Sequence, residues 1–181
     1  MKKAVVVLAE GFEEIEAVTP VDVLRRAGVD VVIAGLDGKI IRGSHGISIA
    51  ADIKFTDAEG ADALILPGGL PGAENLAASD AVRNAICAVS KREGIVAAIC
   101  ASPAYVLAPT GILDGKKATC YPGCGKRFGS EVTFVDERVV QDGSVITSGG
   151  PGTALEFSLK IVEALAGKEK AHELRSAMLV E

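Results

Sequence analysis

Gly94-Ile95-Val96-Ala97-Ala98-Ile99-Cys100-Ala101-Ser102-Pro103-Ala104-Tyr105-Val106-Leu107 is the stretch that decides the fold. Ile95 to Ile99 form an apolar run with no polar alternation, the pattern of a strand buried on both faces of a parallel sheet. The run stops at Cys100, and small residues lead into Pro103 and a helix-like Ala-Tyr-Val-Leu-Ala segment. Proline suits the first turn of a helix, where its missing N–H costs nothing. Cys100 is thereby placed at the carboxyl end of a strand and just ahead of a helix N-terminus. That is the geometry of a nucleophile elbow, with sulfur in place of the serine oxygen. Free N–H groups and the positive end of a helix dipole favour a thiolate there. A small buried hydrophobe, the usual state of an unpaired cysteine, is the other reading. Position alone leaves both open.

Outward from this stretch, strands and helices alternate. Strands are expected at Lys3–Ala9, Asp30–Ala34 and Ala63–Leu66, and helices at Glu13–Ala27, closed by Gly28, and at Asp80–Glu93. Lys39–Arg42 and Ile47–Ala50 read as a hairpin around Gly43-Ser44-His45-Gly46. Short strands are expected at Lys117–Cys120, Glu131–Val135, Val139–Gln141 and Val145–Thr147, then helices at Thr153–Ala166 and Lys168–Met178. This rhythm means parallel βαβ units and a doubly wound α/β sandwich. No linker or repeat interrupts the 181 residues, so residues 1–181 are expected to form one domain.

Composition narrows the function. Hydrophobic residues make up 49% and aromatics only 4%, so the core is built from Val, Ile, Leu and Ala. A formal charge of -5 with no basic block argues against nucleic acid as a main partner. The apolar run after Lys2 and Lys3 ends at Glu10, too short for a secretory leader or a membrane span. Four cysteines without a disulfide-like framework point to a reducing compartment, the cytoplasm.

In such folds, sites gather beyond the carboxyl ends of the strands. Glu16 lies on the helix after the first strand, and Pro20 is expected to kink or restart that helix. Near a thiolate, a half-buried Glu16 would be held protonated by desolvation and like charge, and would serve as a proton carrier. Alternatively it is a solvated first-turn glutamate, the reading given to Glu13 and Glu14. Pro67-Gly68-Gly69 is either an oxyanion loop, whose N–H groups approach a ligand closely, or a plain turn. Gly149-Gly150-Pro151-Gly152 ahead of a helix has the character of an anion cradle but lacks dinucleotide spacing. Cys120 and Cys124 have no histidine nearby, so no metal is expected. Cys87 is assigned to the core, and His45 and His172 to the surface. A Cys-His-Asp hydrolase triad thus has no evident histidine.

Glu13-Glu14-Ile15-Glu16, Leu66-Pro67-Gly68-Gly69, Ala97-Ala98-Ile99-Cys100-Ala101 and Thr147-Ser148-x-Gly150-Pro151-Gly152-Thr153 together closely resemble the DJ-1/PfpI (ThiJ/PfpI) superfamily, in its DJ-1-like branch. The match runs nearly end to end and includes the segment from Pro20 to Gly28. The resemblance implies a flavodoxin-like three-layer α/β sandwich with a mostly parallel central sheet, of the class I glutamine amidotransferase type, and a homodimer. It implies an oxidation-prone catalytic Cys100 paired with a protonated Glu16, and backbone amides of Gly68, Gly69 and Ala101 facing a substrate oxygen.

The activity implied is cofactor-free conversion of α-oxoaldehydes such as methylglyoxal, glyoxalase III-like or deglycase-type, with small carbonyl substrates and a role in carbonyl and oxidative stress. A non-enzymatic redox sensor or chaperone is the alternative, and an intracellular peptidase the third reading. Three positions depart from the family pattern. Ala101 stands where peptidase-like members have His, Tyr121 where DJ-1-like members often have His, and Gly149 where arginine is common. The first argues against proteolysis, the second weakens the enzyme reading, and the third weakens anion binding.

Overall fold

A computed structural model describes residues 1–180. Strand β1 (Lys3–Leu8) leads through helix α1 (Glu14–Arg26) to β2 (Asp30–Gly35). A hairpin of β3 (Ile40–Arg42) and β4 (Ser48–Ala50) and a two-residue strand β5 (Ile53–Lys54) precede β6 (Ala63–Leu66). Helices α2 (Gly72–Ala78) and α3 (Asp80–Lys91) lead to β7 (Ile95–Ile99). After one π-helical turn at Pro103–Leu107 come β8 (Lys117–Ala118), β9 (Thr133–Phe134), β10 (Val139–Asp142) and β11 (Val145–Ser148). Helices α4 (Ala154–Ala166) and α5 (Lys168–Ala177) close the fold.

Seven strands form one sheet in the order β10-β11-β7-β6-β1-β2-β5. Every neighbouring pair is parallel except the edge hairpin β10–β11. Helix α3 packs on β6 and β7, while α1 and α4 lie against each other. This is the doubly wound α/β sandwich expected from the alternating pattern, and the flavodoxin-like fold that the resemblance implies. The unalternated runs Ala63–Leu66 and Val96–Ile99 are fully buried, because helices cover both faces of a parallel sheet.

Strand order decides where the site forms. β11, β7, β6 and β1 are consecutive and parallel, with Leu66 opposite Ala98 and Ser148 opposite Ile99. Their carboxyl ends therefore fall side by side, and the four loops carrying unusual residues meet at one edge.

Several local expectations change. α1 runs through Pro20 as one helix, because Ala17, Pro20, Val21, Val23 and Leu24 are all buried and packing holds the turn that proline weakens. Helix α2 and edge strand β5 were not expected, since Pro71-Gly72 reads as loop and Ile53–Lys54 is too short to show a period. The segments at 117–120 and 131–135 contract to the two-residue strands β8 and β9, which pair with each other outside the main sheet. Cys87 is exposed, not core: Val82, Ala85, Ile86 and Val89 make the buried stripe of α3, and the residue after Ile86 is turned about 100° away from it.

Ile65 lies fully buried on β6 at the centre of the sheet. Ile65→Ala is expected to lower the unfolding free energy by about 3 kcal/mol, read as a shift in denaturant midpoint at unchanged slope.

Candidate active site

Cys100 is held in an unusual backbone conformation. Its φ is +65°, in the left-handed region that residues with a side chain rarely adopt. Its N–H donates to the Ser148 carbonyl at 2.9 Å, and its carbonyl accepts the Tyr121 N–H at 2.8 Å. Ties on both sides over-determine the strained turn, as expected of a nucleophile elbow. The elbow leads into the single π-helical turn, with Pro103 at its start, and not into a long α-helix. Stabilisation of a thiolate therefore comes from particular N–H groups, those of Gly69 and Ala101, which act on the Cys100 sulfur in favour of its charged form.

Glu16 faces this cysteine from α1. It is fully buried, and its Oε2 accepts the Gly68 N–H at 2.8 Å. Its Oε1 is the one buried side-chain oxygen among the described residues with no partner. Gly68 fills the gap between the two side chains. A Cβ there would lie 2.6 Å from the Cys100 Cβ and 2.8 Å from Glu16 Oε2, so only glycine fits. At Gly69, φ is +85° and a Cβ would meet the Glu13 N at 2.5 Å. Of the residues picked out in the sequence, Cys100, Glu16, Gly68, Gly69 and Ala101 thus come together at one point. The Gly68 N–H is engaged by Glu16, while those of Gly69 and Ala101 face the sulfur.

Both acids are pushed up. Burial raises Glu16 to about 7, against the Gly68 hydrogen bond and the contact with Cys100. Burial, and then the charge of Glu16, push Cys100 to about 12. The pair therefore loses one proton near neutrality and holds the second to strongly alkaline pH. Thiolate with carboxylic acid and thiol with carboxylate are two placements of that single remaining proton.

A second cluster lies two residues upstream. Glu13 and Glu14, expected to be solvated, are both buried. Glu13 caps α1, its Oε2 accepting the Glu16 N–H at 2.8 Å. The turn between β3 and β4 folds over Glu14, which accepts the His45 N–H at 2.7 Å and the Ile47 N–H at 3.3 Å. His45 Nδ1 lies 2.8 Å from Glu14 Oε2. Burial raises Glu14, but these bonds together outweigh it and hold the carboxyl below its ordinary value. Bonding to Glu14 raises His45. Ligand atoms of Glu13, Glu14 and His45 lie within 4.8 Å of one another, but a cation there would have to displace the His45–Glu14 bond. Sequence offered no signal for this cluster, because its donors come from a hairpin far along the chain.

The remaining candidates sit around the rim. Cys120 is buried, and burial and then Cys124 push its thiol up to about 12. Tyr121 is 48% exposed, with its ring against Gly150, where a Cβ would lie 3.3 Å from it. Around Gly149-Gly150, the Thr153 hydroxyl takes the Gly150 N–H at 3.1 Å and meets Ser148 Oγ at 2.6 Å. His172 is exposed on α5.

Residues 2–164 match the sequence model of the DJ-1/PfpI family. The chain belongs to the DJ-1/PfpI family. It is 44% identical to the Parkinson disease protein 7 homolog of Danio rerio, across 99% of this chain and 98% of that protein. It is 38% identical to the glutathione-independent glyoxalase DJR-1.2 of Caenorhabditis elegans, across 96% and 94%. An oxidized Toxoplasma gondii DJ-1 superposes with a TM-score of 0.95 at 39% identity, covering 99% of this chain and 98% of that one. As a DJ-1/PfpI protein, the chain carries its cysteine elbow, buried glutamate and double-glycine loop in the order and geometry just described.

Raising Glu16 above its ordinary 4.5 has a thermodynamic signature. Between pH 4.5 and 7 the folded chain binds a proton that the unfolded chain has lost, so stability falls as pH rises through this window. The fall attributable to Glu16 is about 3 kcal/mol. In Glu16→Gln that component disappears, so denaturant unfolding at pH 5 and pH 8 should show the variant gaining on the wild type at the higher pH. Glu14 acts in the opposite sense and only below its own ordinary range, so it leaves this difference untouched.

Proposed function

We propose that the protein is a cysteine-dependent, cofactor-free enzyme acting on α-oxoaldehydes such as methylglyoxal, glyoxalase III-like or deglycase-type, in the response to carbonyl and oxidative stress. The observation that carries this reading is the buried Glu16 carboxyl, its Oε1 claimed by no other group, set against a cysteine that two backbone N–H groups face. The glutathione-independent glyoxalase of C. elegans, similar along nearly its whole length, supports it.

The chemistry needs a nucleophile, a proton carrier and donors for a developing oxyanion. In the proposed mechanism, the Cys100 thiolate adds to the aldehyde carbon, and the oxygen takes a proton to give a hemithioacetal. Glu16 removes the proton from that carbon and returns it to the neighbouring carbonyl carbon, passing through an enediol and leaving a thioester of the hydroxy acid. N–H groups of Gly69 and Ala101 stabilise the negative oxygen, while the Gly68 N–H keeps Glu16 in place. Water then cleaves the thioester, releasing lactate and the thiol. The sum is methylglyoxal plus water giving lactic acid.

A second reading is a redox sensor in which two equivalents of peroxide take the Cys100 thiolate to a sulfinate, with two waters released. The oxidized T. gondii DJ-1 favours it. A peptidase is disfavoured, because Ala101 follows the nucleophile and both histidines are elsewhere, His45 on Glu14 and His172 on α5. The family resemblance also supports a homodimer, and Ile15, Val18 and Ile47 offer exposed apolar surface near the α1 N-terminus for it. No described helix is long and apolar enough to cross a membrane; a cytoplasmic location is part of the proposal.

Lactate formed from methylglyoxal without glutathione tests the first reading. Cys100→Ser should lose activity by at least about a thousandfold. Glu16→Gln should lose about a hundredfold or more. Absence of catalytic lactate from the wild type would remove the glyoxalase reading and leave the redox one.

A further inference from the structure

Ser102 follows the elbow and stands at the N-terminal edge of the π-helical turn, where a serine hydroxyl ordinarily caps the free N–H groups of its own helix. It makes no such bond. Its side chain turns away and donates to the carbonyl of Pro67 at 2.6 Å, across 35 residues of sequence, with Ser102 fully buried and Pro67 buried as well.

The two ends of this bond are significant. Pro67 begins the Gly68-Gly69 loop after β6, and Ser102 ends the Cys100-Ala101 elbow after β7. One N–H facing the sulfur comes from each side, Gly69 from the loop and Ala101 from the elbow. Between the two bridged ends also sits Gly68, whose N–H holds Glu16. β6 and β7 pair only as far as Leu66 and Ala98, so beyond that point the sheet ladder no longer fixes the spacing of the two segments. The Ser102 hydroxyl is a cross-tie just past the end of the ladder.

We propose that Ser102 is a positioning residue for the reactive thiol: by tying Pro67 to the elbow, its hydroxyl keeps the Gly69 and Ala101 N–H groups trained on the Cys100 sulfur and the Gly68 N–H on Glu16. The inference rests on Cys100 being the reactive group of the proposed function. It concerns the state of the thiol, not the identity of the substrate, and so is tested without turnover. Loss of the tie lets the loop move off the sulfur, and the charge of the pair loses donors on both of its sites. The thiolate then forms at higher pH and in smaller amount.

The test is the pH dependence of Cys100 alkylation by iodoacetamide from pH 5 to 9, resolved from the exposed Cys87 by peptide mass spectrometry. Ser102→Ala should slow alkylation at pH 7 by about fivefold and move the midpoint upward, the effect of weakening about one charge-assisted hydrogen bond. Ser158→Ala is the matched control: its buried hydroxyl also donates to a carbonyl, that of Ala154 at 2.7 Å, within α4 and away from the elbow. It should lower the melting temperature but leave the alkylation profile in place. An unmoved profile in Ser102→Ala, or an equal displacement in Ser158→Ala, would overturn the proposal. Lactate formation measured on the same proteins reports separately on the substrate reading, since a wild type without turnover still gives an alkylation profile.

Discussion

Two acids, a carboxyl and a thiol, are buried against each other with glycine as the only spacer, and that contact sets the character of the whole site. A charge on either is costly in the absence of water, and a charge on both costs far more. The pair therefore keeps one proton over a wide pH range, and its single negative charge has two seats. N–H groups from Gly69 and Ala101 serve the sulfur, and that from Gly68 serves Glu16. A nucleophile with an acid already beside it is what the proposed addition and proton transfer require. It is equally what makes a cysteine prone to oxidation, so the two functional readings share one physical basis.

The sheet provides the precision. β11, β7, β6 and β1 are adjacent and parallel, so loops far apart in sequence leave the sheet next to one another. Cys100 is then anchored to Ser148 on one side and Tyr121 on the other, and its positive φ is maintained by those neighbours. Glu16 reaches the same point because its helix starts shortly beyond β1, with Glu13 capping that start. The His45 turn covers Glu14 in the same first turn, so the hairpin outside the main sheet also bears on the site.

Much of this was legible in the chain. The run Ile95–Ile99 lacks alternation because both faces are covered, and together with the repeating strand-helix rhythm it implied the parallel sheet. Glycine and cysteine at strand ends marked the site, since those residue types carry a backbone or a chemical consequence wherever they stand. Long-range pairing stayed hidden. Nothing near Glu14 in sequence reveals that His45 and Ile47 will supply it with donors, and so it read as solvated. Cys87 was misplaced because one residue along a helix is a turn of about 100°, and sequence spacing of five from Val82 does not settle a face. Helix α2 was missed behind Pro71-Gly72, where local propensity says loop and burial of Ala73 and Leu76 says otherwise.

Whether Glu16 and Cys100 titrate as one unit is the question on which the chemistry turns. A ¹³C NMR titration of labelled glutamate Cδ and cysteine Cβ, assigned with Glu16→Gln and Cys100→Ser, addresses it directly. A coupled pair gives both nuclei the same midpoint near 7; the Glu16 response disappears in Glu16→Gln and shifts when Cys100→Ser removes its partner. A Glu16 midpoint at the ordinary 4.5 with no matching change at Cys100 would contradict the coupling.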